Sequence, residues 1–150
     1  MDLILWRHAD AEDGFPDEAR QLTVKGEKQA ENIARWLKPR LPEKVRVLAS
    51  PARRAQQTVE KLTKSFETLK ELAPGVSPAV LLGATGWPDA GGTVIVVGHQ
   101  PTLGRVAAFL LSGVEAEWSL KKGGIWWLSN RVRLDEPQTV LRVVMPPEFV

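Results

Sequence analysis

Three short apolar runs organise the chain: LILW at 3–6, VRVLA at 45–49 and TVIVV at 93–97. Each is too short for a helix and nearly free of alternating polar positions, which predicts strands buried on both faces. The intervening segments carry helical spacing. Ala30, Ile33, Ala34 and Leu37 recur at i, i+3, i+4 and i+7, behind Thr23 as an N-cap and ahead of Pro39 as a stop. Ala55, Val59, Leu62 and Phe66 form a second stripe, with Ser50 placed to cap it and Pro51 suited to its first position. A third stripe, Leu103, Val106, Ala107, Leu110 and Leu111, opens at Pro101 and closes at Gly113. The stretch 67–92, with three prolines and five glycines, predicts loops around a short helix near 77–84. Two late runs, IWWLS and TVLRVVM, predict further strands, for which an antiparallel pairing is open. Strand alternating with helix predicts an α/β class: a three-layer α/β/α sandwich with a mainly parallel central sheet.

Composition narrows this picture without redirecting it. The 150 residues, 43% apolar and 25% charged, suit one globular domain spanning 1–150. No repeat, linker or low-complexity tract interrupts them. Twenty basic residues against eighteen acidic ones leave a net charge of +2, too mild to argue for nucleic acid. The absence of cysteine removes disulfide, thiolate and cysteine–zinc chemistry. MDLILW has no basic leader segment, and no apolar run approaches the ~18 residues of a membrane span. The expectation is a cytoplasmic, monomeric protein without a membrane partner.

The strand ends raise a sharper question. The first run stops abruptly in Arg7-His8, where a cation beside an imidazole marks either a surface ion pair or a place built to meet an anion. The second run delivers Ser50-Pro51-Ala52-Arg53-Arg54, and the third Gly98-His99-Gln100-Pro101. Both histidines of the chain therefore fall just past predicted strand ends, which is where ligands bind in open α/β sheets. Singly, each has an ordinary reading: a strand-end histidine is structural, Ser50 is a cap, and Arg54 is an exposed cation that the helix dipole slightly disfavours. Jointly, two histidines and two arginines on one sheet edge point to phosphate. Arginine forks match phosphate oxygens, and helix N-termini add N–H donors. A neutral imidazole, kept deprotonated by neighbouring cations, is a nucleophile toward phosphorus, and a second can donate to the phosphoryl oxygens. The chemistry implied is phosphoryl transfer through a phosphohistidine, with no metal and no cofactor.

The same residues carry a family likeness. RHADAE resembles the Arg-His-Gly signature of the histidine phosphatase (phosphoglycerate mutase-like) superfamily, with Ala9 in the usual glycine position. ARQLTVKGEKQAENIARWL, with Leu22-Thr23 and Gly26 in matching places, resembles the region that follows it in short bacterial members. LASPARRAQQT is similar to the Ser-Pro-x-x-Arg-Ala-x-Gln-Thr stretch, which singles out Arg54 over Arg53. VVGHQPTLG resembles the second-histidine motif. Together these span residues 2 to about 112 in family order, and the chain's length resembles the compact SixA-type phosphohistidine phosphatases. The resemblance implies a phosphoglycerate mutase-like fold, His8 as the phosphorylated nucleophile, and Arg7, Arg54 and His99 completing the catalytic set. Arg7 and Arg54 would also bind substrate. The implied partner is a phosphohistidine-bearing protein, such as a histidine phosphotransfer domain in a signalling relay.

Larger superfamily members carry a glutamate general acid in an insertion for which this chain has little room. Glu71 and Asp10 are the candidates here, each with an exposed or structural role as its simpler reading. Without a dedicated acid the pocket favours phosphohistidine over a phosphomonoester, because imidazole is the better leaving group. Two rival readings stay open: a small-molecule phosphomonoesterase of the same superfamily, and a non-catalytic phosphate-binding regulatory module. Outside the motifs, Trp126-Trp127 alternate on a predicted strand, which turns one to the core and its neighbour to solvent or a partner; core packing is the simpler reading, a docking surface for a protein substrate the alternative. Lys122 in KKGG reads as part of a solvated turn rather than a phosphate contact, and Arg53 as exposed.

Overall fold

The computed structural model describes residues 1–150. The first apolar run forms strand β1 (Asp2–Arg7), and helix α1 (Val24–Leu37) follows the predicted stripe. Thr23 caps that helix by accepting from the Gly26 N–H at 2.9 Å. Then come β2 (Arg46–Ala49), α2 (Arg53–Glu60), β3 (Glu67–Thr68), α3 (Pro78–Thr85), β4 (Thr93–Gly98), α4 (Thr102–Ser112), β5 (Ile125–Arg133) and β6 (Glu136–Met145). The six strands lie in one sheet of order β3-β2-β4-β1-β5-β6. Strands β1 to β4 are mutually parallel, β5 runs antiparallel to β1, and β6 returns beside β5 as a hairpin.

Side-chain alternation splits the core into two halves. Ile4, Trp6, Val47, Ala49, Ile95 and Val97 pack on one face with Ile33, Ala34 and Leu37 of α1 and Ala55 and Val59 of α2. Leu3, Leu5, Leu48, Val94 and Val96 face the other way, against Leu81 of α3 and Leu103, Val106 and Ala107 of α4. The result is the expected three-layer α/β/α sandwich. Central strands need apolar residues at every position because both faces are covered.

Two local details depart from expectation, in α2 and β3, and the tryptophans follow the packing reading. Helix α2 begins at Arg53 and ends at Glu60, so Pro51 lies before it, and Leu62 and Phe66 pack on the core from the connection that follows. Ala52 takes the N-cap position without a side-chain cap, and Ser50 is used elsewhere. The two-residue strand β3 has no sequence pattern of its own; it forms because Leu48 and Ala49 offer an open edge. Of the paired tryptophans, Trp127 is buried and donates to Asp2 Oδ2 at 2.9 Å. Trp126 is half-buried, its ring 5.9 Å from that of Trp118 and packed on the core rather than displayed.

One close approach ties the fold to its sheet edge. A Cβ on Gly26 would fall 1.9 Å from the Asp10 carbonyl oxygen, so the first turn of α1 rests directly on the segment after β1. Gly26→Ala is expected to destabilise the protein by about 3 kcal/mol through overpacking, read as a lower urea midpoint with an unchanged slope.

Candidate active site

β4 lies between β1 and β2, so the carboxyl ends of three adjacent strands open on one crevice. The ladder continues one step past the strands: the His8 N–H donates to the Gly98 carbonyl and the Ser50 N–H to the Val97 carbonyl. Those two bonds set His8, Ser50 and His99 side by side. Buried Thr58 fastens the crevice wall, accepting from the Ala9 N–H at 3.0 Å and donating to the Arg54 carbonyl at 2.8 Å. The crevice is a cavity of about 240 Å³ lined by Arg7, His8, Ala11, Arg20, Arg54, Pro74, His99, Gln100 and Lys122. All four residues named from the sequence are brought together here.

The two imidazole rings lie 5.1 Å apart, centroid to centroid. His8 Nδ1 is 2.8 Å from the Ala9 carbonyl oxygen, which can only accept, so Nδ1 carries the hydrogen and Nε2 the lone pair. Arg54 Nε–H points at that lone pair from 3.4 Å. Burial pushes His8 down to about 4, with the positive charges of Arg54 and Arg7 acting in the same direction. His8 is therefore neutral at physiological pH, with Nε2 unprotonated. Burial likewise pushes His99 to about 3, helped by His8 and Arg54. His99 Nε2 meets Ser50 Oγ at 2.7 Å. Ser50 Oγ also accepts from the Ala52 N–H at 3.1 Å, and when its hydroxyl donates to His99 Nε2 the Nδ1 of that ring is the N–H. Ser50 thus orients a histidine rather than capping a helix.

The arginines are held by different means. Arg7 donates to the Leu120 carbonyl at 2.8 Å. Buried Arg54 donates through Nη1 to the Asp17 carbonyl at 2.9 Å and through Nη2 to Asp17 Oδ2 at 3.1 Å. Arg20 Nε takes the other oxygen of that carboxylate at 3.1 Å. Against the opposing effect of burial, Arg54 and then Arg20 hold Asp17 below the usual carboxylate range. Two buried side-chain nitrogens lack a hydrogen-bond partner, Arg7 Nε and His99 Nδ1, and both belong to residues lining this cavity. Buried donors are ordinarily satisfied, so a ligand offering several acceptor oxygens suits this site.

No periodicity singles out Asp17, on a short 3-10 turn at Asp17–Ala19, or Arg20 just after it, and Gln100 lies in the motif at the end of β4 without a role of its own there. Lys122 sits in an exposed turn, as expected, and its side chain nevertheless lines the cavity, with Nζ 3.1 Å from Asp10 Oδ1. Arg53 is exposed as expected. Neither acid candidate lines the cavity. Glu71 lies half-buried on a short turn at Lys70–Leu72. Asp10 accepts from Thr23 Oγ1 at 2.8 Å, and that bond, with Lys122, holds its carboxyl below the usual range. No three His, Cys, Asp or Glu side chains converge as a metal-binding group.

Residues 3–77 match the family model of the histidine phosphatase superfamily (branch 1). The phosphohistidine phosphatase SixA of Escherichia coli K12 is 36% identical over 124 residues, covering 75% of this chain and 76% of that protein. The chain belongs to the histidine phosphatase superfamily. Among solved structures, the protein histidine phosphatase SixA complexed with tungstate superposes with a TM-score of 0.83, covering 99% of both chains at 28% identity. A phosphoserine phosphatase mutant from Entamoeba histolytica in complex with phosphoserine shares the fold, with a TM-score of 0.70 over 98% of both chains at 19% identity.

In this histidine phosphatase the geometry arranges three functions in one crevice. A neutral imidazole presents an unshared pair, guanidinium groups surround it, and a second imidazole is oriented by a serine. No helix of the chain is long and apolar enough to cross a membrane.

Proposed function

We propose that this chain hydrolyses phosphohistidine on a partner protein, with His8 as the nucleophile and Arg7, Arg54 and His99 as its phosphoryl-binding partners. The observation that carries the substrate preference is the cavity lining: four cations and two histidines, with no carboxyl group among them. In the first step His8 Nε2 forms a bond to phosphorus while the phosphorus–nitrogen bond to the substrate imidazole breaks. A substrate ring protonated on its other nitrogen departs neutral. In the second step water forms a bond to phosphorus, the bond to His8 breaks, and inorganic phosphate leaves. Because Nδ1 keeps its hydrogen on the Ala9 carbonyl, phosphorylated His8 is cationic and also departs neutral. Neither departure calls for a positioned acid. An alkoxide does, and a missing general acid costs typically ~10²–10⁴-fold. Arg7 Nε and His99 Nδ1 gain acceptors as charge develops on the phosphoryl oxygens.

The test compares kcat/KM on a phosphorylated histidine phosphotransfer domain with that on an alkyl phosphomonoester at the same pH and ionic strength. A preference for the phosphoprotein of at least about a hundredfold is expected. A preference for the monoester would make the chain a small-molecule phosphatase, and turnover of neither would leave a phosphate-binding module. Glu71→Gln is expected to leave turnover of phosphohistidine within about twofold of wild type, since its side chain lies outside the lining. A thousandfold fall in that variant would place a general acid at position 71.

A further inference from the structure

The turn that joins the last helix region to β5 is fastened to the nucleophile's own strand. Gly123, at φ +74°, donates its N–H to the carbonyls of both Arg7 and His8 at 3.1 Å. The Arg7 N–H donates to the Gly124 carbonyl at 3.1 Å, and Trp6 Nε1 donates to the Gly123 carbonyl at 2.9 Å. This anchoring fixes the backbone at position 122 beside the crevice, although 112 residues separate Lys122 from Asp10. The Lys122 side chain is half-exposed and lines the same cavity as His8 and Arg54.

Its ammonium rests on Asp10 Oδ1. Asp10 is itself immobilised: its other oxygen accepts from Thr23 Oγ1, its N–H donates to Gln29 Oε1 at 2.9 Å, and its carbonyl accepts from the Thr23 N–H at 3.0 Å. A half-exposed lysine–carboxylate pair stabilises a fold by little, because water screens it and both side chains lose freedom. The ammonium has three N–H groups and spends one on a monoanion. A phosphoryl group offers up to two negative charges and three acceptor oxygens, a stronger partner than one carboxylate oxygen.

We infer that Lys122 is a further phosphoryl-binding residue, parked on Asp10 in the free protein and released from it when a phosphate-sized oxyanion enters the cavity. This rests on the phosphoryl-transfer reading of the site. It adds a gate to it: the Asp10 carboxylate competes with substrate for Lys122, so the two residues act on affinity with opposite signs. Asp10 is then a positioning residue, acting through Lys122.

Calorimetric titration with tungstate tests this without turnover, so the result is independent of whether His8 becomes phosphorylated. Lys122→Ala is expected to weaken tungstate binding about tenfold, the loss of one charge-assisted hydrogen bond, and Lys122→Arg to restore most of it. Asp10→Asn is expected to tighten binding about threefold in the wild-type background and to change nothing when Lys122 is already alanine. A Lys122→Ala variant that binds tungstate within twofold of wild type would overturn the inference. So would an Asp10→Asn gain of equal size in both backgrounds, which would reduce Asp10 to simple charge repulsion. Should Asp10→Asn fail to fold, the Lys122→Ala and Lys122→Arg pair decides alone.

Discussion

His8→Ala is expected to lower turnover of phosphohistidine by at least about ten-thousandfold, the scale on which removal of a nucleophile abolishes covalent catalysis. The reason lies in the electronic state of one atom. His8 Nε2 is the nitrogen whose pair is free, because the Ala9 carbonyl fixes the hydrogen on Nδ1 and burial keeps the ring neutral down to about pH 4. No neighbour substitutes for it. His99 stands 5.1 Å away, ring to ring, with its Nε2 committed to Ser50. A quench after incubation with a labelled phosphohistidine protein should leave acid-labile, base-stable label on wild type and none on His8→Ala. Tungstate binding should persist in the variant, since the arginines remain. Retained label in His8→Ala would move the nucleophile to His99 and require the role of His8 to be reassigned.

Arg54→Ala is expected to reduce kcat/KM by about a thousandfold, the upper range for loss of one preorganised oxyanion donor. This guanidinium is almost fully buried and its three nitrogens have separate tasks. Nε faces the His8 lone pair, while Nη1 and Nη2 hold the carbonyl and carboxylate of Asp17. Each Nη retains a second hydrogen for a phosphoryl oxygen. Arg54→Lys is expected to recover little, because a single ammonium cannot meet both oxygens of Asp17 and still face His8. The loss should fall mainly on catalysis rather than folding. Asp17 is mostly exposed, and water takes over when its partner is removed. Steady-state kinetics beside a thermal melt separate the two. A fall in melting temperature large enough to explain the lost activity would assign Arg54 a structural role instead.

What could be read in advance differed from element to element for physical reasons. β1, β2 and β4 announce themselves because both faces are covered, so their inner positions are apolar throughout and polar residues cluster at their ends. The same pattern places Arg7, His8, Ser50 and His99 at one sheet edge. Strand β3 stayed hidden because two exposed residues joined to a neighbour's edge need no pattern of their own. Ser50 departs from its local pattern for a related reason: a hydroxyl just before a helix is the usual cap, and only the 2.7 Å approach of His99, from 49 residues away, shows what it serves.

Local patterning suffices for the layers, the order of the motifs and the four residues gathered in the crevice. It encodes burial and strand ends, and those are properties of a few neighbouring residues. The second ring exists only in three dimensions: Asp17 bridging Arg54 and Arg20, Lys122 on Asp10, and two buried nitrogens with no partner in the protein. These depend on side chains meeting across 37 and 112 residues of chain in the two longest cases. A charged residue on a loop carries no periodicity to reveal its partner, so its role is set by the fold that delivers it.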